Sequence, residues 1–120
     1  MSDISKGRAK ELVNANGYIF DELIAQIAKD CHLEPDWYTF GHNLIRLQNS
    51  LMVKLQELLD DSPKSIHQLL YIIDVNEHEL RKDMQRGRYA SLSELLSERI
   101  VERELKKVIF RNVYSGKLKI

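Results

Sequence analysis

Prolines are scarce in this 120-residue chain, with only Pro35 and Pro63, and its five glycines stand apart at positions 7, 17, 41, 87 and 116. With 43% hydrophobic residues, such a composition excludes a disordered or low-complexity chain. Isolated glycines also exclude a phosphate-cradling loop, which needs several of them close together. Cys31 is the single cysteine, so no internal disulfide can form, and a reducing, cytoplasmic location is expected. No apolar run approaches the roughly 18 to 20 residues that cross a bilayer. The first residues, Met1 to Ser5, hold no basic stretch leading into an apolar one, so no secretory signal is expected.

Net charge is missing too, since 18 Lys and Arg balance 18 Asp and Glu. That balance hides a division. From Ser2 to Leu80 there are 7 basic and 13 acidic side chains, whereas from Arg81 to Ile120 there are 11 basic and 5 acidic. A basic last third on an acidic body is expected to be satisfied within a bundle or across a homodimer, with an anionic partner as the alternative.

Apolar residues recur at helical spacing nearly throughout, and β-branched runs bounded by tight turns are absent. The expected fold is all-α: a single-domain helical bundle over residues 1–120, with about five to six helices and one long central helix. A first helix over about Ser5 to Asn14 carries Ala9, Leu12 and Val13. A second, from Tyr18 to about Cys31, carries Ile19, Phe20, Leu23, Ile24 and Ile27. The long helix is expected from Asp36 to Asp60, opened by Pro35 and striped by Phe40, Leu44, Leu47, Leu51, Leu55 and Leu58. Such a helix is the spine of the bundle or half of a dimer seam. Trp37 and Phe40 at its start are expected to seal the core.

Ser62-Pro63 predicts the next helix start. Two capping boxes follow, Asn76 with Glu79 and Ser91 with Glu94; the helices they open end near Gly87 and Gly116. The expected core holds Leu23, Ile27, Leu44, Leu51, Leu55, Leu69, Ile73, Leu96 and Leu105.

Catalytic and metal chemistry find little support. None of His32, His42, His67 and His78 sits in a His-Glu-x-x-His or Glu-x-x-His motif. Cys31 and His32 are adjacent and would point about 100° apart on a helix, so they chelate poorly. Cys31 is expected to pack rather than to react. Glu94, Glu98 and Glu102 share a helical face, but Arg99, Arg103 and Lys106 interleave with them, so a solvated salt-laced face is expected. No catalytic residue, cofactor or metal is expected.

One segment resembles a known motif. Residues 65–84 read Ser-Ile-His-Gln-Leu-Leu-Tyr-Ile-Ile-Asp-Val-Asn-Glu-His-Glu-Leu-Arg-Lys-Asp-Met, which looks like a bacterial helix-turn-helix with its turn at Asp74-Val75-Asn76. The resemblance implies a second helix that enters the major groove. Asn76, Glu77, His78, Arg81 and Lys82 would then form the reading face, and Arg86 and Arg88 would hold phosphates. The segment departs from the motif where Leu70 replaces the small residue at the helix crossing and Asp74 replaces the turn glycine. Glu77 and Glu79 also oppose phosphate. The expected function is therefore a small helical protein-protein interaction or assembly module, a homo-oligomer or the partner of another protein. A DNA-binding regulator acting through residues 65–88 is the alternative.

Overall fold

The computed structural model describes residues 4–119, without the side chains at positions 63, 65, 72 and 73. They form six helices: α1 (Lys6–Ala15), α2 (Gly17–Asp30), α3 (Leu44–Asp61), α4 (Pro63–Ile73), α5 (Glu77–Gln85) and α6 (Leu92–Tyr114). No strand occurs among the described residues, so the all-α architecture holds.

Helix boundaries follow local chemistry. Ser5 caps α1, its hydroxyl accepting from the Arg8 N–H at 3.1 Å. Asn76 caps α5 by accepting from the amides of His78 and Glu79, at 2.8 and 3.3 Å. Ser91 accepts from the Glu94 amide at 3.2 Å at the start of α6. At the far end of α6, Gly116 takes φ +80 and the Lys117 N–H donates to the Asn112 carbonyl at 2.9 Å, which closes the last turn.

The expected long helix from Asp36 is shorter than its apolar spacing implied: α3 begins only at Leu44. Gly41 adopts a left-handed φ of +80, and Asn43 caps the helix by accepting from the Arg46 amide at 3.0 Å. Both features interrupt helical backbone before the leucine stripe begins. The preceding segment turns back on α2, where the Trp37 indole N–H donates to the Ile24 carbonyl at 3.0 Å. Trp37 is buried as expected, but Phe40 is 62% exposed. The longest helix is instead α6, whose 23 residues span about 34 Å at 1.5 Å per residue.

The chain divides into two compact units, one running to His42 and resuming at Glu102, the other covering Asn43–Val101. In the first, α1 packs on α2. Its core is Ile19, Phe20, Leu23 and Ile27 from α2 with Leu105, Val108 and Ile109 from α6. In the second, α3 packs on α4, and Leu47, Leu51 and Leu55 are fully buried with Leu69, Leu95, Leu96 and Ile100. Each such side chain contributes about 1.5 to 3 kcal/mol on leaving water.

Of the expected core, Leu44 is only half-buried, the side chain of Ile73 lies outside the described residues, and the rest are buried. Leu47, Leu51 and Leu55 of the expected dimer seam are thus buried within the chain itself, whereas Leu44 and Leu58 at its ends are half-buried. The side of α3 left open carries Ile45, half-buried Met52 and Val53.

Candidate functional site

The helix-turn-helix-like segment forms α4, a turn and α5 within the second unit. Asp74 stands at φ 58, ψ 51, so it adopts the left-handed conformation usually given to glycine. Aspartate tolerates that region better than most side chains, and the missing glycine is absorbed. Asn76 is engaged as the helix cap rather than held ready for a base. His78, Arg81, Lys82, Arg86 and Arg88 are all exposed. Arg86 is held by Asp83 at 3.3 Å, and Asp83 also pairs with Arg99 on α6. The structure therefore brings Arg81 and Lys82 to solvent on α5, flanked by Glu77 and Glu79 of its first turn.

Leu70 and Leu80 are both buried. Leucine at the crossing has the volume to keep α4 and α5 apart, and beside them lies a cleft of about 520 Å³. Ile66 and Leu70 of α4, Leu80 and Met84 of α5, and Leu92 and Leu96 of α6 form its apolar wall. Polar groups stand among them. His67 Nδ1 meets Glu77 Oε1 at 2.5 Å, and Arg81 and Gln85 also border the opening. A concave apolar floor with a few polar groups is what binding sites between helices offer.

The four histidines fall in separate surroundings. His32 is exposed at φ 56 beyond α2, and His42 stacks on Phe20 with Nε2 2.9 Å from Asp21. His67 pairs with Glu77, and His78 is exposed.

The first unit holds a polar seam that the sequence reading missed. Glu22, Gln26 and Asp30 recur every four residues along α2 and face the second half of α6. Asn112 Nδ2 donates to Glu22 at 2.6 Å, and Arg111 Nη1 donates to Gln26 Oε1 at 2.7 Å. Gln26 Nε2 and Lys107 Nζ both donate to Asp30 Oδ2, at 2.9 and 2.8 Å. The fourth member is Glu104, 1% exposed and hydrogen-bonded to Asp30.

Burial, then the hydrogen bond and charge of Asp30, push the Glu104 carboxyl up to about 8. Burial also pulls Asp30 upward, but hydrogen bonds from Glu104, Lys107 and Gln26 outweigh it and hold Asp30 below its ordinary value. Buried beside both carboxyls, Cys31 is pushed up to about 12, which makes its thiol a packing group and a poor nucleophile. A signal for Glu104 was present in the sequence. It lies four residues after Ile100 and four before Val108, in the middle of an inward stripe.

No protein-family model, curated protein or solved structure matches this chain. None of the helices among the described residues is long and apolar enough to cross a membrane.

Proposed function

We propose that the chain is a small helical interaction module, without catalytic activity, whose cleft between α4, α5 and the start of α6 receives an apolar helix of another protein or of a second copy. The observation that carries this reading is the cleft itself: about 520 Å³ walled by leucine, isoleucine and methionine, with polar groups confined to His67, Glu77, Arg81 and Gln85. An amphipathic helix supplies anchors at i, i+3 or i+4 and i+7 for such a wall, and charged flanks for such an opening. The lone, buried Cys31 suits work in the cytoplasm.

The test compares wild type with Met84→Arg, which places a charge in the cleft at a half-buried position that tolerates it. Affinity capture from the source cells is expected to retain a partner that Met84→Arg loses and the surface control Glu11→Arg keeps. If the partner is a second copy, sedimentation equilibrium at micromolar protein shows a dimer that Met84→Arg dissociates. Equal capture and equal mass for all three proteins would refute the reading.

DNA binding through α5 is the second reading. It is favoured by the αL turn at Asp74, which leaves Arg81 and Lys82 exposed on a capped helix. Opposing it are Glu77 and Glu79 at the end of α5 that would approach phosphate, and the bulk of Leu70 at the crossing.

A further inference from the structure

Two carboxyl groups hydrogen-bond to each other only when one of them carries a proton. At the Asp30–Glu104 contact, the hydrogen-bond pattern says which one. Asp30 Oδ2 already accepts from an ammonium, Lys107, and an amide, Gln26, so Asp30 is the anion and Glu104 supplies the O–H. Glu104 Oε1 then has no partner among the described residues. As the carbonyl oxygen of a neutral acid, it is tolerable there. As half of a carboxylate it would be a buried, unsolvated charge beside a second anion, which the site can accommodate only by opening to water.

We propose that Asp30 and Glu104 form a proton-held latch: the proton between them keeps α6 around Glu104 docked on the C-terminal end of α2, and its loss as pH rises loosens that junction.

The charges around the latch leave Glu104 as the group that titrates. On α2, Asp30 is its anionic partner, and the Cys31 thiol stays protonated across the relevant range. On α6, Arg103 and Lys107 favour the ionised form of Glu104, but burial and Asp30 outweigh them. From α1, Lys6 is engaged by Glu102 at 2.7 Å. Because the closed junction holds the proton far more tightly than an open one, the ratio of closed to open falls about tenfold per pH unit. That decline begins above the ordinary glutamate value of 4.5 and levels off beyond about 8.

Hydrogen exchange of the full chain tests this, measured between pH 5.5 and 9 and corrected for the intrinsic base-catalysed rate. In wild type, protection of amides in 26–31 and 102–109 is expected to fall about a hundredfold between pH 6 and 8 and then to level. In Glu104→Gln, whose amide still donates to Asp30 but does not titrate, protection should stay flat. A Gln variant with the wild-type slope overturns the latch. A second readout covers the case in which that variant fails to fold: the carboxyl carbon of Glu104 in wild type, followed by NMR. A midpoint near 8 supports the latch, and one near 4.5 overturns it whatever the exchange data show.

Discussion

Lys107 Nζ lies 2.8 Å from Oδ2 of Asp30, and Gln26 Nε2 meets the same oxygen at 2.9 Å. A carboxylate only 8% exposed is thereby held by donors from two helices. Lys107 is half exposed, so solvent screens its charge, and Lys107→Ala should cost about 1 kcal/mol at neutral pH rather than the full value of a buried pair. The larger effect should appear in acid. Asp30 is held below its ordinary value, so its contribution is present above about pH 4 and is lost as pH falls through the lowered folded value. Removing Lys107 raises that folded value and should move acid unfolding, followed by circular dichroism, to higher pH. An unchanged acid midpoint would mean that Lys107 does not support Asp30.

His32 follows the last turn of α2 at φ 56, where the Leu33 N–H closes back on the Ala28 carbonyl at 2.9 Å. This is the position where glycine relieves backbone strain. His32→Gly should therefore stabilise the protein by about 0.5 to 1 kcal/mol in urea denaturation. A loss of stability would show that the imidazole makes a contact worth more than the strain.

The two sides of α3 should respond in opposite ways. Leu51 is fully buried and Ile45 is 76% exposed. Leu51→Ala should cost about 2 to 5 kcal/mol, and Ile45→Ala no more than about 0.5 kcal/mol. Comparable losses at both positions would place Ile45 in a buried interface between copies.

DNA binding has its own test in fluorescence anisotropy with genomic fragments at about 0.15 M salt. Weak binding, unchanged by Arg81→Ala or Lys82→Ala, is expected. A sequence-selective, salt-sensitive complex abolished by Arg81→Ala would instead make α5 a recognition helix.

Much of the fold was legible because caps and stripes are local. Asn76 with Glu79, Ser91 with Glu94, and Gly116 marked real helix ends, and Ala9, Leu12 and Val13 marked the buried side of α1. The segment before α3 misled because Trp37, Phe40 and Leu44 carry helical spacing by coincidence. Gly41 and Asn43 were the countersigns, a left-handed residue and a cap three residues before Arg46. The cleft could not be read from the chain, since it depends on how far apart Leu70, Leu80 and Leu96 come to lie in space. Glu104 could have been, as the one carboxylate between Ile100 and Val108 on an inward stripe.

The most direct measurement for the interaction reading is site-specific photocrosslinking in the source cells, with a benzophenone amino acid in place of Met84, inside the cleft, and in place of Glu11, on the exposed side of α1. A discrete protein adduct from position 84, absent from position 11 and lost when Leu92→Glu charges the same cleft, is the predicted result. No adduct from position 84, or the same adduct from both positions, would contradict it.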